Sequence, residues 1–337
     1  MRGEEIVAAS PPAHTCAGRA DGRVRSDRSP QGRLQLVIEP DGPFRLDLTA
    51  WALRRRAHNE IDRWDGSVYS RVLALDGDVA GVSVEQSGTS DAPLLTITLA
   101  GRNLDRRSET LLRHAVDRLL GLPVDLSGFT EMAASDAMLH RLAARMRGLK
   151  PPRFPTVFEA LVNAVACQQL SITVGVHLLN RLVGAHGPPL AGAPDARAFP
   201  GPRALSVVSP DELRGLGFSL SKARTIIGAA RAIVDGELDL EGLERLDDQA
   251  VTEQLTGLWG VGRWSAEYVM LRGLGRLHVF PGDDVGARNK LERFLDIESK
   301  LDYDGVDRVL ARWRPYAGVI YLHLLLDSLS EAGLVQA

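Results

Sequence analysis

Leu255-Thr256-Gly257-Leu258-Trp259-Gly260-Val261-Gly262-Arg263-Trp264-Ser265-Ala266-Glu267-Tyr268-Val269-Met270-Leu271-Arg272-Gly273 reads as a helix, a tight turn and a second helix. An apolar helix runs into Gly257, the five residues Leu258 to Gly262 turn the chain, and a new helix opens at Arg263. Glycines two apart, Gly260 and Gly262, allow a sharp turn and a close approach of the backbone to another group. Free N–H groups at the start of the second helix would present the positive end of its dipole, a phosphate site that reads nucleic-acid backbone and not sequence. A plain αα-turn with glycine caps carries the same local signature, so the hairpin alone leaves both readings open.

The segment beyond the second helix narrows the choice. Twenty-two residues after Gly262, in Val279-Phe280-Pro281-Gly282-Asp283-Asp284-Val285-Gly286-Ala287-Arg288, a Pro-Gly turn delivers two carboxylates to the start of another helix. Either could be an N-cap. A pure DNA binder, however, has no use for a carboxylate beside a phosphodiester, where its charge opposes binding.

Working outward, the chain changes character once. From Arg33, β-type runs (LQLVIE, FRLDLT, RVLALDG, GVSVEQ and LLTITL) alternate with turn signals, with a helical stretch from Trp51 to Ile61. This predicts a small antiparallel α+β domain over residues 33–107. From Ser108 apolar residues recur at spacings of three and four, which predicts an all-α domain over 108–337. Its helices are expected at 156–168, 171–185, 210–215, 220–235, 248–257, 263–273, 284–295, 305–313 and 317–331, with Gly187 to Pro202 as a loop. Residues 1–32, rich in Gly, Pro, Ser and Arg, read as a disordered tail.

Composition sets the limits. With 337 residues, 45% hydrophobic and 25% charged, the chain is globular in kind. The absence of a long apolar run or an apolar N-terminal stretch predicts a cytoplasmic protein with no membrane association. Two distant cysteines, Cys16 and Cys167, exclude a four-cysteine iron–sulfur cluster, and no clustered ligands suggest a metal site. The net charge of −3 is unpromising for a nucleic-acid partner, but between Gly260 and Leu295 six basic residues face four acidic ones.

With these residues quoted, the chain resembles the helix-hairpin-helix DNA glycosylases, in particular the 3-methyladenine-DNA glycosylase II branch concerned with alkylation repair. Trp264-Ser265-Ala266 resembles that family's Trp-Thr/Ser-Ala step after the hairpin, and Phe280 to Gly286 its Phe-Pro-x-x-Asp-x-Gly loop, which selects Asp284 over Asp283. Phe158-Glu159-Ala160-Leu161 leading to Cys167-Gln168-Gln169-Leu170-Ser171 is similar to its Phe-Glu-x-Leu to Gly-Gln-Gln-Ile-Ser element. Gly217-Phe218-Ser219 with Lys222-Ala223, and Arg312-Trp313-Arg314-Pro315-Tyr316, match two further elements in order. The resemblance implies that the N-terminal domain is TATA-binding-protein-like. It also implies a partner, double-stranded DNA carrying damaged bases, on which the protein works as a monomer associated with the nucleoid.

The resemblance implies roles as well. A base inside a duplex must be extruded before its glycosidic bond can be cut. Gln169 is then the wedge that fills the gap, and Gln168 a pocket or strand contact. Trp264 and Tyr268, four apart on one helix, would stack on a cationic alkylated purine, with Trp51 as a third aromatic candidate; the same spacing also builds helical cores. Asp284 would stabilise the oxocarbenium-like sugar or activate water. Gly260, Gly262, Arg263, Ser265, Lys222 and Arg288 are the expected DNA-backbone contacts. No cofactor is expected beyond a monovalent cation at the hairpin carbonyls.

Trp264 stands where bifunctional relatives carry the lysine that nicks the strand, so a monofunctional enzyme is expected. The chain departs from the family pattern at Leu325, where an aromatic residue is common, at Ala317, where an arginine is common, and at Cys167 in place of glycine. These departures leave a glycosylase for hypoxanthine or uracil open, alongside a non-catalytic helix-hairpin-helix module.

Overall fold

The computed structural model describes residues 25–29, 33–75, 78–101 and 106–335. Its first unit is a sheet of β1 (Arg25–Ser29), β2 (Arg33–Ile38), β3 (Arg63–Trp64), β4 (Val68–Leu75), β5 (Asp78–Gly88) and β6 (Pro93–Gly101), interrupted by α1 (Leu46–Arg54). All neighbours are antiparallel, in the order β1-β2-β6-β5-β4-β3. Alternation fixes the register, because a slip by one residue would turn every apolar side chain to the other face. Leu34 and Leu36 pair with Leu99 and Ile97, which pair in turn with Val82 and Val84, and all six are buried. That face is covered by α1 and by α2 (Arg106–Leu120), through Leu112, Ala115, Val116 and Leu119.

The helical unit continues with α3 (Ser127–Ser135), α4 (Ala137–Arg145), α5 (Val157–Cys167) and α6 (Ile172–His186), then a small hairpin of β7 (Pro189–Leu190) and β8 (Ala193–Arg197). It ends with α7 (Pro202–Ser206), α8 (Pro210–Gly215), α9 (Leu220–Val234), α10 (Asp248–Gly257), α11 (Arg263–Arg272), α12 (Val285–Phe294), α13 (Tyr303–Leu310) and α14 (Ala317–Glu331). One core gathers α5, α6, α9 and α11, and a second surrounds α14. The fold is therefore α+β, an antiparallel sheet followed by a helical domain. Among the described residues no helix is long and apolar enough to cross a membrane.

Five expectations need correction. FRLDLT, expected as a strand, begins α1, and the helix expected over Trp51 to Ile61 stops at Arg54. The cause is burial on two sides: Leu46, Ala50 and Leu53 face the sheet while Leu48, Trp51 and Ala52 face the α14 core, so no amphipathic stripe survives in the sequence. Arg25–Ser29, assigned to the tail, pairs with β2 through backbone bonds that leave little trace in side-chain pattern; the rest of the tail lies outside the described residues. The Gly187–Pro202 loop contains the β7–β8 hairpin, and the helix expected over 305–313 runs from Tyr303 to Leu310 with a 3-10 turn after it.

The boundary drawn at 107/108 falls at the start of α2, whose apolar face packs with the sheet. Buried contacts join the units. Arg71 on β4 donates to Asp62 at 2.9 Å and to Glu159 on α5 at 2.5 Å, all three being buried. Arg272 at the end of α11 donates to the Ala52 carbonyl of α1 at 3.0 Å.

Candidate active site

Gly260 at the hairpin adopts φ +79, and a Cβ there would lie 2.1 Å from the Thr225 hydroxyl, so both the conformation and the packing require glycine. Gly262 is different: its φ is −99 and an added Cβ would meet nothing within 4 Å. It is the N-cap of α11 and supplies no side-chain cap, so the first N–H groups of α11 keep their donor capacity.

The turn between α5 and α6 is tied to this hairpin. Gln168 donates through Nε2 to the Gly260 carbonyl at 2.9 Å and to Ser265 Oγ at 2.8 Å. Gln169, next to it, is exposed and takes φ +54, a left-handed conformation uncommon for a residue with a side chain. Exposed apolar side chains stand on each element that meets here: Leu170 at 43%, Trp259 at 59% and Val285 at 59%.

The Pro281-Gly282 turn sets Asp284 as the N-cap of α12. Oδ1 accepts from the Ala287 N–H at 2.9 Å, while Oδ2 accepts from the Tyr321 hydroxyl at 3.1 Å and from Trp264 Nε1 at 3.4 Å. The carboxylate is half-buried, with one oxygen committed to the helix and the other held between two aromatic donors. Burial first, and Asp284 second, push the Tyr321 hydroxyl well above its usual range, so it remains a donor. Trp264 and Tyr268 lie with ring centroids 5.5 Å apart at 30°. Asp283 turns away and accepts from Arg263 Nε at 2.8 Å, and that guanidinium also lies 3.7 Å over the Tyr303 ring.

Beneath the loop, Glu267 accepts from Tyr303 at 2.6 Å and from the Gly282 N–H at 3.2 Å, which fixes the turn that carries Asp284. Burial raises the Glu267 carboxyl above its ordinary value, and burial lowers the Lys290 ammonium on α12, opposed by Asp284.

Residues 162–315 match the HhH-GPD superfamily of base excision DNA repair proteins. The matched segment carries both the hairpin and Asp284. It is 28% identical over 291 residues to a DNA-3-methyladenine glycosylase of Bacillus subtilis, covering 86% of this chain and 95% of that protein. It is 29% identical over 272 residues to DNA-3-methyladenine glycosylase 2 of Escherichia coli, covering 81% and 90% of the two chains. The solved 3-methyladenine DNA-glycosylase from Archaeoglobus fulgidus superposes with a TM-score of 0.75 at 27% identity, over 86% of this chain and 97% of that one.

Within this HhH-GPD frame several expected site residues lie elsewhere. Trp51 is 7% exposed and sits in the α14 core, with the Arg54 guanidinium 5.2 Å from its ring, so it lines no open pocket. Lys222 is buried, and its ammonium donates to the carbonyls of Ala166 at 2.9 Å and Gln168 at 2.7 Å, ending α5 instead of reaching outward. Ser265, 1% exposed, spends its hydroxyl on Gln168. Arg288 is half-buried on α12 and Arg263 is exposed. Tyr321 is a site residue that the sequence pattern does not reveal. It stands one helical turn before Leu325 on α14, so an aromatic group does reach the site from the helix where the family pattern is broken at Leu325.

Proposed function

We propose that the chain is a monofunctional DNA glycosylase that extrudes alkylated purines from duplex DNA and hydrolyses their glycosidic bond. One observation carries this reading: Asp284 Oδ2 is held by Trp264 and Tyr321, on a loop beside the uncapped start of α11. A helix N-terminus without a cap attracts a phosphate, and the bare Gly262 lets it approach. The neighbouring carboxylate then faces the sugar of the same strand.

Gln169 is the wedge in this reading, which its exposure and left-handed backbone support, with Leu170, Trp259 and Val285 offering apolar contact to sugar and base edges. Gln168 braces the wedge turn against the hairpin. Trp264 forms the aromatic wall for the extruded base, with Tyr268, 4% exposed, packed in the core behind it. Cleavage moves the C1′–N bonding pair onto the base and leaves an oxocarbenium-like sugar, to which water adds. The lone pairs of Asp284 are largely engaged, which suits stabilisation of the sugar cation better than abstraction of a proton from water.

Relatives in the superfamily point the same way, since those compared are called 3-methyladenine glycosylases. Among the described residues no three His, Cys, Asp or Glu side chains cluster as metal ligands. The hairpin carbonyls of Leu258 and Gly260 each accept one internal hydrogen bond and keep a second lone pair, which fits a monovalent cation. Such an ion would add positive charge at the phosphate site.

The test is base release from methylated duplex DNA by the wild type and by Asp284→Asn. Release by the wild type and its loss in the variant is the expected result. Full activity in the variant would remove Asp284 from the chemistry, and DNA binding without release by either protein would favour a binding module.

A further inference from the structure

Arg55 follows α1 with φ +58, and its side chain, 4% exposed, crosses from the N-terminal unit into the helical one. Nη1 donates to the Tyr268 hydroxyl at 3.0 Å and Nη2 to Asn163 Oδ1 at 2.7 Å. Asn163 is itself oriented, since its amide donates to the Glu159 carbonyl at 3.0 Å. A second buried guanidinium, Arg272, lies 5.2 Å from the Phe154 ring, and Arg55 lies 5.6 Å from the same ring. Among the described residues neither arginine has a carboxylate within 4.0 Å, and each has an Nε with no hydrogen-bond partner.

Burying a cation without a counter-charge is costly, and apolar residues of the same volume would pack as well. The placement has a direction. Arg55 touches Tyr268, Tyr268 stacks near Trp264, and Trp264 reaches Asp284, so a cation and an anion stand at opposite ends of one aromatic wall.

We propose that Arg55, acting through Tyr268, is a specificity-determining residue that sets a positive potential on the base side of the wall, opposite Asp284 on the sugar side. This rests on the glycosylase reading. When the C1′–N bond of a neutral purine breaks, the electron pair moves onto the base and the leaving group becomes anionic until it takes a proton from solvent. A buried cation behind the base stabilises that charge. An N-alkylated purine is cationic beforehand and leaves neutral, so the same field gives its departing base no charge to stabilise and opposes its binding. Arg55 therefore extends the substrate range toward neutral purines with acceptor atoms at the expense of cationic ones.

The experiment is single-turnover excision by the full chain from duplexes carrying one hypoxanthine or one 7-methylguanine. It compares the wild type with Arg55→Met, Arg55→Lys and Tyr268→Phe. Losing a charge-assisted contact predicts that Arg55→Met slows hypoxanthine release about tenfold or more relative to 7-methylguanine. Arg55→Lys should restore much of the ratio. Tyr268→Phe, which keeps the ring but removes the acceptor for Arg55, should shift the ratio in the same direction and serves if Arg55→Met does not fold. The ratio is taken within each variant, so partial loss of folded protein cancels. An equal loss on both substrates, or an unchanged ratio, would overturn the role of Arg55 and leave the glycosylase reading standing. A wild type that releases neither base would overturn both.

Discussion

The Tyr321 hydroxyl, carried on α14, donates to Asp284 Oδ2 at 3.1 Å and so ties the last helix of the fold to the N-cap of α12. Oδ1 is already committed to the Ala287 N–H, so in the proposed reading Tyr321 orients the oxygen that faces the sugar. Tyr321→Phe keeps the ring edge-on to Phe280, whose centroid is 5.5 Å away, and removes one bond to a charged group. The expected result is base release slowed about tenfold with an unchanged melting temperature. Single-turnover kinetics beside a thermal melt checks both halves.

The two hairpin glycines should separate stability from binding. At Gly260 an alanine must adopt φ +79 and meet the Thr225 hydroxyl at 2.1 Å, so Gly260→Ala should lower stability by about 1–3 kcal/mol. At Gly262 neither the backbone angle nor any contact opposes a methyl group, and Gly262→Ala should melt like the wild type. Its methyl group would instead stand in the way of a phosphate at the start of α11. Affinity for an abasic duplex, measured by fluorescence anisotropy, should fall for Gly262→Ala; an unchanged affinity would count against a phosphate at this site.

His323, 2% exposed, hydrogen-bonds through Nδ1 to the Val319 carbonyl at 2.8 Å, and burial lowers its pKa to about 4. The carbonyl can only accept, so Nδ1 carries the proton in the neutral ring. The unfolded chain titrates near 6.5, so between pH 6.5 and 4 the unfolded state binds one more proton than the native state. Stability from this group is complete above pH 6.5 and falls as the pH drops through that window, by about 3 kcal/mol in all. Urea midpoints at several pH values should show this loss in the wild type and lack that component in His323→Leu.

The hairpin and the placement of Asp284 at a helix start were legible because both rest on local chemistry: paired glycines, then Pro-Gly before an acidic cap. Tyr321 was not, because it lies 37 residues beyond Asp284 on a helix buried on nearly all sides, where one more aromatic residue looks like core. Lys222 and Ser265 misled for a related reason. A lysine and a serine at helix starts suggest solvent and phosphate, whereas here they close the end of α5 and hold Gln168. Arg55 is the middle of three consecutive arginines, Arg54-Arg55-Arg56, with nothing local to single it out; only tertiary packing carries it across to Tyr268. Glu159 was visible only as part of a family pattern; in this chain it pairs with Arg71.

That pair sets the last expectation. Arg71 reaches from the sheet to Glu159 on α5 and to Asp62, with side-chain exposures of 0%, 5% and 3%. Glu159→Leu leaves Arg71 paired with Asp62 at 2.9 Å but removes its bonds across the two units, so it should cost about 1–3 kcal/mol. Arg71→Met should cost at least as much, because it strands two carboxylates, of which only Asp62 retains another side-chain donor, Tyr69 at 2.7 Å. In Arg71→Met with Glu159→Leu one of the two stranded carboxylates is gone and Asp62 keeps its bond from Tyr69, so the double variant should be less destabilised than the sum of the singles. Because the contact joins the sheet unit to the helical unit, the loss should also appear as lower cooperativity. Denaturant unfolding followed by tryptophan fluorescence and by far-ultraviolet circular dichroism should coincide for the wild type and diverge for Glu159→Leu. Coincident curves and additive losses would mean that the two units are held together elsewhere, through Arg272 and the Ala52 carbonyl and through Arg55 with Tyr268 and Asn163.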